Sequence, residues 1–502
     1  MGTYLSEREL AELAPADDAF EAPIPTQMVS NGEFNPLPKT PDQKKVEARL
    51  SELADSLGRK QGLDRRSFLR SSCGLAAAFL ALNDVFGPVF QVSEAEAADR
   101  EMTMERAKAL SHQFILDDQT HFVHDDFKQE GLLGLGQFAS ENWNEDLKPE
   151  QLTLAYYKFV NYVRQIFYNS DTKVALLSGA PFDDPSWVLL PNDQIKEAVN
   201  MVNTVAGSRR MLGHFVITPG QDGWMDEVDR AIEEVKPDAW KGYTIGDPLS
   251  ATTKHPWRLD DEKLMYPFYE KAVKAGITTI AIHKGLMPAD YEKSWPEVWK
   301  YQTPWDLPKV AKDWPQFNFI IYHGCTRPFL ELPDKALAEF EATGNITWST
   351  DLARVPEEAG VSNVYAELGT SFAMCATTSP RFAAALVGTY IKHMGADHVC
   401  WGTDSLWYGS PQWQIEAMRR LEIPEDMQKK HGFAPLGGPT SAVKNTIFGY
   451  NAARLFNLDL TTQRADYGPL PPETFAEIER TYQFAGGLIP GSSCGYIDKR
   501  PA

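Results

Sequence analysis

Between residues 114 and 404 short apolar runs alternate with longer stretches whose apolar positions recur at helical spacing. The runs at 114–123, 174–179, 211–218, 239–245, 277–284, 317–323, 363–368 and 398–404 predict eight strands. Several are nearly continuous in Val, Ile, Leu and Phe, the pattern of parallel strands covered on both faces. Between them, 193–205, 223–235, 261–275 and 333–342 read as amphipathic helices, the last opening on Pro333, which suits a first helical position. Eight β/α alternations predict an α/β fold of the (β/α)8 TIM-barrel type, for which about 250 residues plus insertions is usual. A doubly wound sheet is the alternative, but no G-x-G-x-x-G follows any of the runs.

The flanks read differently. Residues 1–62 are rich in Glu, Asp, Pro and Lys, with little apolar periodicity outside 46–57, and predict a flexible extension. Asp64-Arg65-Arg66-Ser67-Phe68-Leu69-Arg70 follows, then an apolar run at 73–82 and the small residues Ala95-Glu96-Ala97-Ala98. That run is too short to span a bilayer, which takes about 20 residues. Basic, apolar and small-residue segments in this order predict a secretory signal over 63–97, and the paired arginines resemble a twin-arginine signal. The expectation is cleavage after Ala97 and export, by the twin-arginine machinery, to the periplasm or beyond. Signals of this kind usually begin near residue 1, whereas here a long stretch precedes the signal. Residues 98–460 are then the barrel domain, and 461–502, Pro-rich from Tyr467, a C-terminal extension beside it.

Composition narrows the function. The 502 residues carry a formal charge of −20, which argues against a nucleic-acid partner, since phosphate binding needs a basic face. Five cysteines form no C-x-x-C pair, so neither a zinc ribbon nor a dense disulfide framework is expected.

In such a barrel the chemistry gathers at the C-terminal ends of the strands. Gln119, His121 and His124 fall at the end of the first run, His283 at the fifth, His323 at the sixth and Asp404 at the eighth. Their separations approximate whole β/α units, so all reach the same mouth. Imidazole and carboxylate groups converging there suit Zn²⁺, with Mn²⁺ or Fe²⁺ as alternatives. His112, His214, His393, His398 and His431 read as core or surface residues.

Five motifs carry a resemblance over 112–457: Asp117-Asp118-Gln119-Thr120-His121, Ala281-Ile282-His283-Lys284-Gly285, Tyr322-His323-Gly324, Trp401-Gly402-Thr403-Asp404-Ser405, and 444–456 with its Asn451-Ala452-Ala453-Arg454. The chain resembles the amidohydrolase-related metal-dependent hydrolases, in the branch that includes the aminocarboxymuconate-semialdehyde decarboxylases. The resemblance implies His121, His283 and Asp404 as ligands of one divalent metal, zinc first. It implies His323 as acid/base, with Asp404 taking the proton of the attacking water. One position departs from the family: Gln119 stands where the first histidine of a His-x-His pair belongs. Gln119 then orients water or substrate, or His124 bends in as a ligand, or the metal is lost. Lys284, Glu367 and Trp407 join Gln119 and His124 as groups around the substrate, although Lys284 also reads as a salt bridge behind the barrel wall. Lys241, early in its strand, reads as solvent-facing, which leaves no bridging lysine for a second metal. The expected function is an exported metal-dependent hydrolase acting on a small apolar or aromatic substrate, as a monomer or a homo-oligomer. The alternatives are a non-oxidative decarboxylase at the same site and a pseudoenzyme or accessory binding subunit.

Overall fold

The computed structural model describes residues 22–31, 39–129, 153–288, 290–327, 333–460 and 467–485. Eight strands, β1 (Leu116–Thr120), β2 (Val174–Leu177), β3 (Met211–Val216), β4 (Ala239–Tyr243), β5 (Thr279–His283), β6 (Asn318–Tyr322), β7 (Val364–Glu367) and β8 (Val399–Cys400), pair in parallel in sequence order. The ring closes between β8 and β1: the Asp118 amide donates to the Trp401 carbonyl and the Asp404 amide to the Gln119 carbonyl, each at 3.0 Å. Thr120 and Ser405 add a parallel bridge. The fold is a (β/α)8 barrel, with every strand inside the run that predicted it. Alternate residues fill its interior, among them Leu116, Leu176, Leu212, Ala239, Ala281, Ile320 and Tyr322.

The N-terminal region is folded onto this barrel. Helix α1 (Pro41–Lys60) starts at a capping box, with the Thr40 hydroxyl on the Gln43 amide and the Gln43 side chain on the Thr40 amide. It lays Val46, Leu50, Ala54 and Leu57 along α2 (Ser72–Phe86), whose Cys73, Ala76, Phe79 and Leu82 are buried. Helix α3 (Arg100–Leu110) follows. One expectation is corrected here. The described part of 1–62 is no flexible extension, since Ile24, Met28 and Val29 are buried and 41–60 is helical. In residues 63–97 the run at 73–82 is helical and largely buried, in contact with α1. The Asn83 carboxamide holds the amides of Val89 and Phe90, and Phe90 bridges antiparallel to Leu421. Among the described residues no helix is long and apolar enough to cross a membrane.

The helices around the barrel include α4 (Asn192–Ala206), α5 (Trp224–Arg230), α6 (Tyr266–Ala275), α7 (Pro333–Thr343) and α8 (Gln412–Arg420). The stretch at 444–457 splits into Ala442–Asn445, a π-turn at Thr446–Tyr450 and Asn451–Leu455. Gly449 lies in that turn against Phe114, whose ring a β-carbon would meet at 2.5 Å. In the C-terminal tail, α9 (Pro472–Ala485) sets Phe475 against Tyr168 and Tyr482 against Phe159.

Candidate active site

Strand β1 delivers its polar residues through a break in register. Its pairing with β2 shifts between Asp117 and Thr120. The Thr120 hydroxyl turns outward to the Tyr162 hydroxyl and the Leu176 carbonyl, leaving Gln119 and His121 at the mouth. Such an irregularity is a way to re-aim side chains beside a site. The ends of β6, β7 and β8 turn just as abruptly: His323, Thr370 and Asp404 have φ of 61°, 54° and 58°. A left-handed conformation costs a non-glycine residue about 1–2 kcal/mol. Three such residues around one opening mark a place where geometry outweighs local comfort.

Asp404 is the hub. Its Oδ1 accepts from Gln119 Nε2 at 3.0 Å and lies 3.1 Å from His121 Nε2. Its Oδ2 accepts from the Thr370 hydroxyl at 2.5 Å and from Asn31 Nδ2 at 3.1 Å. Burial alone would raise its pKa, but the hydrogen bond and charge of His121, the charge of His323 and the Thr370 hydroxyl draw it down to about 2. His121 Nδ1 meets the Ser178 carbonyl at 2.8 Å, and since a carbonyl only accepts, Nδ1 carries a proton. His323 is fixed the same way by the Gly369 carbonyl at 3.0 Å. Its Nε2 is buried without a hydrogen-bond partner among the described residues. Burial, then the neighbouring His283, hold the His323 pKa well below the usual imidazole range, against the upward pull of Asp404. His283 stacks on Tyr243 at 4.6 Å and meets the edge of His323 at 4.7 Å.

Below these rings lies an acidic layer. Glu367 Oε2 accepts from the His323 amide at 2.9 Å, and Oε1 from the Gly369 amide. Asp118 is its neighbour: a β-carbon on Gly402 would lie 1.9 Å from Glu367 Oε1 and 2.7 Å from Asp118 Oδ1. Burial pushes Glu367 up to about 8, and burial with the charge of Glu367 raises Asp118 well above the carboxylate range. Lys241 sits inside the barrel, its Nζ 3.5 Å over the Tyr322 ring, which corrects the solvent-facing expectation. In β4, Ala239, Lys241 and Tyr243 share the inner face by simple alternation. Asp117 lies on the other side of β1, raised to about 7 by burial, and accepts from the Thr403 amide and hydroxyl.

Of the residues singled out in the sequence, Gln119, His121, His283, His323, Glu367, Asp404 and Trp407 come together, Trp407 stacking on His121 at 5.7 Å. Two do not. The His124 ring packs edge-on against Phe127 at 5.8 Å in the loop beyond β1. Lys284 points outward, its Nζ on the carbonyls of Tyr301 and Thr303 and 3.1 Å from Asp306, so it is the salt bridge behind the wall. Sequence reasoning missed Thr370, Asp118 and Asn31. Thr370 follows a strand end by three residues, a signal that was available, and its hydroxyl meets that of Tyr408 at 2.6 Å. Nothing local marks Asn31.

The donor set suits a divalent cation. His121 and His323 each tie Nδ1 to a backbone carbonyl, the arrangement that presents Nε2 to an ion. His121 Nε2 lies 3.1 Å from Asp404 Oδ1, which sets an imidazole nitrogen and a carboxylate oxygen side by side. Among the described residues no group of three or more His, Cys, Asp or Glu side chains is already gathered to hold an ion.

No curated protein matches the sequence. Among solved structures, 5-carboxyvanillate decarboxylase from Sphingomonas paucimobilis is 14% identical over 69% of this chain and 99% of its own, with a TM-score of 0.39. A TIM-barrel protein from Bordetella bronchiseptica is 12% identical over 70% of this chain and 99% of its own, with a TM-score of 0.42. The 5-carboxyvanillate decarboxylase from Novosphingobium aromaticivorans, solved with manganese, is 13% identical over 69% and 98%, with a TM-score of 0.38. At these levels no residue role or substrate transfers to this chain. The amidohydrolase family model, by contrast, matches the sequence itself over residues 117–458, from the first carboxylate of β1 past the last helix of the 444–457 segment. That span is more than half of the chain and contains every barrel residue of the site, so the chain belongs to the amidohydrolase family.

Proposed function

We propose that the protein is a metal-dependent enzyme that removes carbon dioxide from a small, flat carboxylate without oxidation. The supporting observation is the pair of flat walls at the mouth, Trp407 stacked on His121 at 5.7 Å and Tyr243 on His283 at 4.6 Å, with the buried acid Glu367 beneath them. Decarboxylation calls for an acid that gives a proton to carbon, and burial raises the Glu367 pKa to about 8.

His121, His283 and Asp404 would hold one divalent ion, zinc or manganese, with His323 beside it. A bound ion supplies Lewis acidity to a substrate oxygen. The chain's own residues do the rest. Trp407 and Tyr243, stacked on His121 and His283, offer flat walls to an aromatic or enoic substrate. Gln119 and Thr370 hold the Asp404 carboxylate in place. The bond between the substrate carbon and its carboxyl carbon breaks, carbon dioxide leaves, and the electron pair remains on the substrate carbon. Glu367 supplies the proton that this carbon takes up, and is recharged from solvent.

Hydrolysis of an ester or lactone is the second reading, on one observation: the unpartnered Nε2 of His323 is a lone pair that water could use. Incubating the Mn²⁺- or Zn²⁺-loaded protein with hydroxylated benzoates in D₂O separates the two. Carbon dioxide release with one deuterium at the vacated carbon is expected. Turnover of lactones without carbon dioxide would replace this reading with hydrolysis, and no turnover together with no bound ion would make the barrel a binding protein.

A further inference from the structure

Asp404 is held from four sides, and one of the four does not belong to the barrel. Gln119, His121 and Thr370 come from the ends of β1 and β7. The fourth contact, Asn31 Nδ2 to Asp404 Oδ2 at 3.1 Å, spans 373 residues of sequence. It fills the remaining acceptor direction, since an ionised carboxylate has about four. The segment that brings Asn31 is built in. Ile24, Thr26, Met28, Val29 and Ser30 are buried, and the Thr26 hydroxyl donates to Glu47 of α1 at 2.6 Å. Helix α1 rests on α2, and the chain beyond α2 is joined to α8 by backbone pairing, with Gln91 donating to the Arg420 carbonyl at 2.7 Å and Glu422 to the Val89 carbonyl at 2.8 Å. Side chains repeat the link: Arg420 pairs with Glu96, and Arg106 with Glu416 at 2.8 Å. Asn31 thus reaches Asp404 through an anchored layer that includes the whole of 63–97.

We propose that Asn31 is a positioning residue of the active site, and that the working enzyme is the chain that retains its N-terminal segment, not one beginning at Ala98. Asn31 fixes Asp404 Oδ2 through its carboxamide N–H. The proposal stands on this geometry and not on the decarboxylase reading.

Three measurements on the full chain test it. The intact mass of protein recovered from its native compartment should include residues 22–110; a folded chain starting at Ala98 that binds Mn²⁺ as tightly as the full chain would overturn the proposal. Mn²⁺ titration should then separate two variants. Asn31→Ala should weaken binding about tenfold, as loss of a supporting hydrogen bond does, whereas Asn31→Asp, nearly the same shape, should tighten it by placing a second carboxylate beside Asp404. A residue that only packs gives Asn31→Asp the affinity of the wild type, and that result sinks the positioning role. Thermolysin cleavage between Ile24 and Val29, without added metal, should be about tenfold faster in Asn31→Asp, because the donor is lost and like charges face each other. An unchanged rate overturns the proposal. If the wild type binds no Mn²⁺, the metal reading of the site fails, while the mass and cleavage measurements still decide this one.

Discussion

At the scale of single residues the site turns on where protons rest. Glu367 has an ordinary pKa of 4.5 and a folded one of about 8, so the folded chain binds the proton more tightly than the unfolded chain. Its contribution to stability is complete below pH 4.5 and is lost as pH rises through about 8. Asp404 runs the other way: lowered from 3.8 to about 2, it stabilises above pH 3.8 and ceases to do so as pH falls through about 2. The melting temperature of the wild type should therefore decline between pH 5 and pH 8, and Glu367→Gln should flatten that decline; an unchanged slope would remove the proton from Glu367. Gln119 gives a second test. Because its amide donates to Asp404, Gln119→Ala should keep most of the bound ion and lower turnover about 10–100-fold, the usual effect of a group that orients a ligand. Metal loss equal to that of His121→Ala would make Gln119 a ligand. The histidines were legible in the sequence because strand ends are recognisable. The protonation of the acids was not, since it depends on burial and on partners far along the chain. Lys241 was misplaced by its position along the strand, when the alternation Ala239, Lys241, Tyr243 already put it inside.

At the scale of elements, all eight strands were legible, because continuous apolar runs at β/α spacing fit few architectures besides a barrel. Their ends were not. The run at 398–404 yields a strand only at Val399–Cys400, since Asp404 turns left-handed and Gly402 leaves the strand to pass over two buried acids. Gly402→Ala should therefore drive a methyl group into Glu367 and Asp118, costing about 1–3 kcal/mol as overpacking of a tight interior does. A drop in thermal or urea midpoint checks this, and a neutral effect would mean that the acids can move apart. The N-terminal region shows the same limit. A basic pair followed by a short apolar run describes both a leader and a buried helix such as α2, and the partner that Phe90 meets, Leu421, lies more than three hundred residues further on.

At the scale of the whole molecule, the N-terminal layer and the barrel meet through buried charge. Arg420 and Glu96 are 3% and 11% exposed, with Glu416 shared among Arg106, Arg419 and Arg420. Removing one member of a buried pair leaves the other uncompensated, at about 3–5 kcal/mol. Glu96→Gln should lower the melting temperature accordingly, and adding Arg420→Met should restore part of the loss; an unaffected Glu96→Gln would detach the layer from the barrel. One further consequence follows from the contact between Asn31 and Asp404. Asn31 is translated 373 positions before its partner. At about 5–20 residues per second, the arm waits on the order of half a minute for the carboxylate it holds. The active site therefore stays incomplete until residue 404 has been made, and no shorter nascent chain, however well its early helices have formed, carries a finished one.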